Sequence, residues 1–146
     1  MSELNKRIIR GWLTILLNQS TRADTHTDGA VNLKACAAAH YRAIRMDELL
    51  EELKGDLPGL IQFLRTKLNW IVEHDPVART VTANENKPDC VCPLYQEGLL
   101  SDPMLCECSK GFIERMFAQV LEHEVQASIV ESILRKGARC IYKVAY

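Results

Sequence analysis

The sequence predicts an α+β fold in which N-terminal helices pack on an antiparallel sheet, with one further helix before a C-terminal β-hairpin. Apolar residues recur at helical spacing through the first half of the chain, up to Leu68. β-Branched residues and turn signals are typical of the second half. With 146 residues, the chain is long enough for a single domain, divided into an N-terminal helix and loop (1–30) and a Cys-rich α+β part (31–146).

Four helical segments are predicted before any strand. The first covers residues 4–18, and the alanine-rich run KACAAAHYRAI lies in the second, over residues 31–46. Asp47 is expected to cap a short third segment, which Gly55 ends. Pro58 suits the first turn of the fourth. The buried stripe of this last helix is expected to consist of Leu60, Ile61, Leu64 and Leu68.

Two β-hairpins are predicted in the second half. The runs NWIVEHD and ARTVTAN each carry β-branched residues, and the His-Asp-Pro between them reads as a tight turn. The C-terminal stretch alternates as two strands joined around Lys136 and Gly137. Between the hairpins, a proline-rich loop is followed by a helix that Ser109 is expected to cap. The apolar face of that helix is formed by Phe112, Ile113, Met116, Phe117, Val120 and Leu121.

Composition excludes several classes of partner. Eighteen basic and nineteen acidic residues give a net charge of -1, so we expect no nucleic-acid binding. No segment approaches the roughly 18 consecutive apolar residues of a membrane span, so we expect no membrane insertion. The basic and then apolar N-terminus is interpreted as an amphipathic helix rather than a signal peptide. A cytoplasmic location with reduced cysteines is the resulting expectation.

Four of the six cysteines form two Cys-x-Cys pairs, Cys90 with Cys92 and Cys106 with Cys108. In an extended chain, residues two apart point to the same side, so each pair would present two sulfurs in one direction. Four thiolates suit a tetrahedral zinc site, and zinc or iron is the ion expected here, although zinc knuckles normally use Cys-x-x-Cys. Metal ligation, a reactive or ligand-contacting thiol cluster, and packing as small buried residues all stay open.

Two further arrangements of residues favour a reactive or metal-binding site over packing alone. Cys106 and Cys108 precede the helix start predicted at Ser109, where the helix dipole would lower the pKa of an exposed thiol. Cys36 and His40 lie four residues apart on a predicted helix and therefore share one face. This is the geometry of a thiol beside a base or of two metal ligands. The candidate catalytic residues are Cys106, Cys108 and His40. The candidate metal ligands are a subset of Cys36, His40, Cys90, Cys92, Cys106 and Cys108.

The segment CECSKGFIERMFAQVLEHEVQASIVESILRKGARCIYKV resembles the C-terminal half of the 4-vinyl reductase-type small-molecule-binding domain. The shared pattern is a helix, a strand that ends in Glu-Ser, and then Gly-x-x-Cys-x-Phe/Tyr. Glu131 and Ser132 match its first part, and Gly137, Cys140 and Tyr142 match its second.

The chain is also similar to a set of small uncharacterised bacterial proteins labelled L-2-amino-thiazoline-4-carboxylic acid hydrolase-like. They share a Cys-x-x-x-His helix, here Cys36 and His40, and Cys-rich runs such as Cys90-Val-Cys92-Pro. Together the two resemblances cover roughly residues 33–146.

The resemblance implies an α+β fold whose helices and sheet enclose an apolar pocket, with a small apolar or heterocyclic molecule as partner and nearby cysteines as metal ligands. A ligand-binding domain is therefore the first functional expectation. A thiol- or metal-dependent hydrolase is the second, with Cys106 or Cys108 as nucleophile or ligand, His40 as general base and Cys36 as a supporting thiol. In the third, the chain forms a homodimer through its N-terminal helix and the cysteines only pack.

Overall fold

The computed structural model describes residues 1–20, 29–99 and 101–146 and confirms the α+β class. The loop predicted after the first helix, at 21–28, lies outside the described residues. In the first half of the chain, helices occupy α1 (Glu3–Ser20), α2 (Gly29–Ala43), α3 (Met46–Leu49) and α4 (Leu57–Thr66), with a 3-10 turn at Glu51–Leu53. No helix in the described ranges combines the length and apolarity needed to cross a membrane.

The helix predicted over residues 31–46 is divided in two. Arg45 adopts a left-handed backbone conformation with φ of 60°, which ends α2 and makes Arg45 the N-cap of α3. The expectation that Asp47 caps this segment is therefore wrong, since Asp47 lies in the first turn of α3. The start of α4 is as predicted, because Pro58 lies in its first turn and the carboxylate of Asp56 accepts the N–H of Gly59 at 2.9 Å.

Four strands form one antiparallel sheet in the order β1-β2-β4-β3. The strands are β1 (Ile71–Asp75), β2 (Thr80–Asn84), β3 (Gln126–Glu131) and β4 (Ile141–Ala145). Both predicted hairpins are present. The β3–β4 connection is longer than a turn at Lys136 and Gly137, because it includes a 3-10 turn at Ile133–Arg135. The Glu131 carboxylate supports it by accepting the N–H groups of Ala138 and Arg139 at 3.1 and 2.8 Å.

The helix after the cysteine-rich loop begins earlier than predicted. A short helix α5 (Pro93–Gln96) is followed by α6 (Leu105–Leu121). Helix α6 therefore starts before Ser109, which is not its cap. The start is set by Asp102, whose side chain accepts the N–H of Met104 at 2.8 Å and whose carbonyl accepts the N–H of Leu105 at 3.0 Å. Cys106 and Cys108 consequently lie inside the helix rather than before it.

Two apolar clusters hold the elements together. The larger cluster packs the inner face of the sheet against α4 and α6, with Phe117, Val81 and Tyr142 fully buried. The smaller one, which we call the second core, joins α1 and α2 to the cysteine-rich loop and the start of α6. The second core consists of Ile8, Trp12, Cys36, Ala37, Cys90, Cys92, Leu105 and Cys108. Ile44 and Phe112 pack against both clusters, so the two are contiguous.

Candidate functional site

The two Cys-x-Cys pairs do not present four sulfurs in one direction. Residues two apart on a helix are rotated by roughly 200° about its axis, so Cys106 and Cys108 leave α6 on different faces. Cys106 Sγ lies 2.9 Å from Ser132 Oγ, in a buried contact with the β3–β4 connection. Cys108 instead belongs to the second core. The prediction of a parallel pair is wrong at this position because it assumed an extended chain.

All six cysteines are free and buried. Burial raises the pKa of the Cys36, Cys92, Cys108 and Cys140 thiols, and it raises that of Cys90 to about 12. The expectation of a lowered pKa required an exposed thiol next to a helix N-terminus, and Cys108 lies in the first turn of α6 but is buried. These thiols are therefore protonated at neutral pH.

A cavity of about 410 Å³ lies between α2, α6 and the segments that follow α4 and β2. Its walls are mostly apolar and include three aromatic side chains. The lining residues are Trp12, His40, Ile44, Met46, Lys67, Leu68, Trp70, Glu85, Lys87, Val91, Cys92, Pro93, Cys108, Ser109, Phe112 and Ile113. Its volume falls in the range of small-molecule sites, which enclose roughly 300–1,000 Å³.

His40 is held among aromatic rings at this cavity. Its ring centroid lies 5.7 Å from that of Trp12 in an edge-on arrangement and 4.9 Å from that of Phe112. The Trp12 indole N–H donates to the carbonyl oxygen of Cys36 at 2.7 Å, which ties α1 to α2 beside the histidine. Burial lowers the pKa of His40 to about 4, so its imidazole is neutral at physiological pH.

Glu85 is a cavity residue that the sequence interpretation missed. It follows β2, and its N–H donates to the carbonyl oxygen of Cys140 at 3.0 Å. The residue is only 7% exposed, and burial raises the pKa of its carboxyl to about 7, against the opposing charge of Lys87. A signal was present in the sequence, because Val81, Ala83 and Glu85 alternate and therefore share one face of the strand.

The predicted site residues are partly brought together. His40, Cys92 and Cys108 line the cavity, whereas Cys36 and Cys90 lie in the adjoining second core. Cys106 is not among the cavity residues. The remaining thiol, Cys140, was not a candidate and lies immediately before β4, where burial and, to a smaller extent, Glu85 and Cys106 raise its pKa.

The described residues contain no preformed set of ligands for the predicted metal ion. Among residues 1–20, 29–99 and 101–146, no three His, Cys, Asp or Glu side chains are arranged to hold a metal ion. Cys106 and Cys108 lie on different faces of α6, so the four sulfurs of the two Cys-x-Cys pairs do not surround one tetrahedral metal site. Zinc or iron binding by these cysteines stays a prediction.

The fold and the site define an α+β protein with an apolar cavity bordered by buried thiols and a buried carboxyl. Comparisons with protein-family models, curated proteins and solved structures find no match to this chain. Its function is therefore argued from the cavity itself.

Proposed function

We propose that this protein is a small-molecule-binding domain whose ligand occupies the cavity lined by Trp12, Trp70 and Phe112. The observation that carries the proposal is the cavity, which is large enough for a compact organic molecule and lined mainly by apolar side chains. A few polar groups, chiefly His40, Glu85 and Ser109, interrupt that lining. Ligand sites typically combine an apolar wall with a few such groups, which orient the bound molecule.

Affinity for an apolar ligand would come mainly from burial. Each methylene group moved from water into the cavity contributes about 0.8 kcal/mol, and aromatic walls contribute further through ring contacts. The neutral His40 ring adds to the apolar surface, since no charge on it has to be desolvated. A cytoplasmic location, where the thiols stay reduced, is part of the proposal.

The cysteines add a metal-binding or redox-responsive element at the cavity wall. Its support is that Cys92 and Cys108 line the cavity, while Cys36 and Cys90 pack with them in the second core. Metal analysis of freshly purified, reduced protein separates the two forms of this proposal. Zinc or iron near one ion per chain supports metal binding, and no metal with several fast-reacting thiols supports redox response. No metal with unreactive thiols contradicts both forms.

Tryptophan fluorescence tests the binding function directly. The chain has two tryptophans, and both line the cavity, so all tryptophan emission comes from its walls. Titration with cyclohexylmethanol, which does not absorb near the indole band, is expected to change that emission saturably. An unsaturable response, or none, contradicts the proposal.

A pair of matched variants controls this titration. Val91 lines the cavity and is 41% exposed, so Val91→Phe is expected to narrow the opening and weaken binding about threefold or more. Val77 lies in the β1–β2 turn away from the cavity and is 93% exposed, so Val77→Phe makes the same chemical change without affecting the site. Equal affinities in the two variants would count against this cavity as the site.

We propose as the second candidate a thiol-dependent hydrolase of a small heterocycle. The observation that favours it is that Cys108, His40 and Glu85 line one cavity. Binding ranks first because burial raises the pKa of Cys108 and lowers that of His40, which leaves a weak nucleophile beside a weak base.

The hydrolase candidate is tested with L-2-amino-thiazoline-4-carboxylate, the substrate that the resemblance implies. Hydrolysis adds one water and opens the ring, so mass spectrometry detects the product. Activity that is lost in Cys108→Ser but retained in Cys140→Ser, a buried thiol outside the cavity lining, supports catalysis. An unchanged substrate after prolonged incubation contradicts it.

A further inference from the structure

We propose that Glu85 is the recognition residue of the cavity and that its carboxylate pairs with a protonated nitrogen on an otherwise apolar ligand. This inference rests on the proposed binding function and names the chemical class of its ligand. It predicts a compact cyclic or aromatic amine rather than a neutral hydrocarbon or an organic acid.

Glu85 is buried without a hydrogen-bonding partner in the described part of the chain. Its side chain is 7% exposed, and no hydrogen bond or ion pair there reaches its carboxyl group. A buried carboxylate that has lost its water without gaining a partner is costly, and a charged donor supplied by a ligand would remove that cost. Glu85 also lines the cavity, where such a donor would arrive.

Hydrogen bonds of the backbone around Glu85 fix its position. Its N–H is bound to the β4 side of the sheet through Cys140, and the next residue, Asn86, takes a left-handed conformation with φ of 56°. The Asn84 side chain accepts the N–H of Asn86 at 2.8 Å, and the Asn86 amide donates to the carbonyl oxygen of Asn69 at 3.1 Å. A carboxyl group on so constrained a backbone orients a ligand at little entropic cost.

The basic side chains at the cavity are those of Lys67 and Lys87. Lys67 is exposed and Lys87 is half-buried, so both ammonium groups keep contact with water and gain little from pairing with an anion. No ion pair joins Lys87 to Glu85 within the described residues, and Cys92, Cys140 and Tyr142 are the other titratable groups near the carboxyl. The buried acid therefore gains most from a new partner.

The aromatic walls favour the same ligand. Trp12, Trp70 and Phe112 line the cavity that Glu85 borders, and the faces of aromatic rings attract cations. A protonated amine beside Glu85 would thus combine a charge-assisted hydrogen bond with aromatic surroundings, while its hydrocarbon part replaces water against Leu68 and Ile113.

The test compares three probes that carry the same cyclohexyl ring and are similar in size: cyclohexylmethylamine, cyclohexylmethanol and cyclohexanecarboxylate. Tryptophan emission is measured at a pH of about 8, above the pKa of about 7 at Glu85, where its carboxylate form predominates. We expect the amine to bind at least about tenfold more tightly than the alcohol and the carboxylate to bind weakest. Glu85→Gln should abolish the preference for the amine, so that the amine and the alcohol bind with similar affinities. Glu73→Gln, on the exposed face of β1, controls for the change in net charge.

The outcomes separate this inference from the proposed function. Equal binding of amine and alcohol, or a preference that survives in Glu85→Gln, overturns the role of Glu85 while the cavity remains a binding site. Preference for the carboxylate also overturns it and assigns recognition to Lys67 or Lys87. No saturable response to any probe contradicts the binding function itself. Glu85→Asp provides a second variant, which should reduce the preference for the amine by shortening the reach of the carboxylate.

Discussion

At the residue scale, two buried titratable groups beside one cavity shift in opposite directions. Burial lowers the pKa of His40 from 6.5 to about 4 and raises that of Glu85 from 4.5 to about 7. In both cases the folded protein favours the neutral form. The His40 contribution to stability is lost as the pH falls from 6.5 through 4, and the Glu85 contribution is lost as the pH rises from 4.5 through 7.

Replacement of Glu85 by glutamine isolates one of these effects. Because the folded-state pKa of Glu85 is raised, its protonated form favours folding at low pH and its ionised form opposes folding above about pH 7. Glu85→Gln should be more stable than the wild type by up to about 3 kcal/mol near pH 8 and similar to it near pH 4. Urea unfolding at the two pH values measures the difference. A variant that is less stable near pH 8 would show that the carboxylate has a stabilising partner.

The cysteines show how local conformation changes a prediction about residues. A Cys-x-Cys spacing presents two sulfurs together only on an extended chain, and the sequence around Cys106 favours a helix once Asp102 is recognised as its start signal. The expectation of a lowered pKa at Cys108 failed for a separate reason, because burial raises that pKa. Glu85 was missed because a carboxyl group at a strand end is normally assumed to face solvent.

Thiol labelling tests the burial of the cysteines. Ser101 lies at an exposed loop position, so the thiol of Ser101→Cys provides an exposed reference. Because all six native cysteines are buried, iodoacetamide should modify them at least about tenfold more slowly than it modifies this added thiol. Cyclohexylmethanol should further slow the labelling of Cys92 and Cys108, which line the cavity, and leave Cys140 unchanged. Mass spectrometry of the digested protein gives each rate. Fast labelling of Cys106 or Cys108 in the native state would restore the reactive-thiol interpretation.

At the element scale, the order of helices and hairpins could be predicted because each has a local cause. The stripe of α4, the alternation of β2 and the apolar face of α6 are all visible in the sequence. Helix ends were harder, since Arg45 interrupts the second helix through a left-handed conformation that non-glycine residues seldom adopt. The approach of α1 and α2 to α6 depends on tertiary packing, which periodicity alone does not specify.

The contact between α2 and α6 has a specific requirement. A Cβ atom on Gly111 would lie 3.1 Å from the Cβ atom of Ala37, so the helices approach closely at a buried glycine. Gly111→Leu should therefore destabilise the protein by about 1–3 kcal/mol, because the added side chain forces α2 and α6 apart. Lys110 is one residue earlier and half-buried at the helix surface. Lys110→Leu is therefore the matched control for introducing a leucine into α6. Denaturant unfolding compares the two, and equal stabilities would refute the close packing.

At the scale of the whole molecule, the cavity forms where the two cores meet. Phe112 packs against both clusters and lines the cavity, so this residue joins the sheet side of the protein to the cysteine side. The expected apolar pocket followed from resemblance alone, since no pattern in the sequence places Trp12, Trp70 and Glu85 together. These residues are far apart in the chain and meet only when α1, the segment after α4 and the end of β2 are packed.

Amide chemical-shift mapping with cyclohexylmethanol tests the central claim most directly, because it locates a bound molecule residue by residue. The account predicts saturable shifts at the indole N–H groups of Trp12 and Trp70 and at the amides of Glu85, Val91 and Phe112, all of which belong to cavity residues. Resonances of the β1–β2 turn, including Val77, should not move. Shifts that are scattered over the surface, or that never saturate, would show that the cavity is not a ligand site.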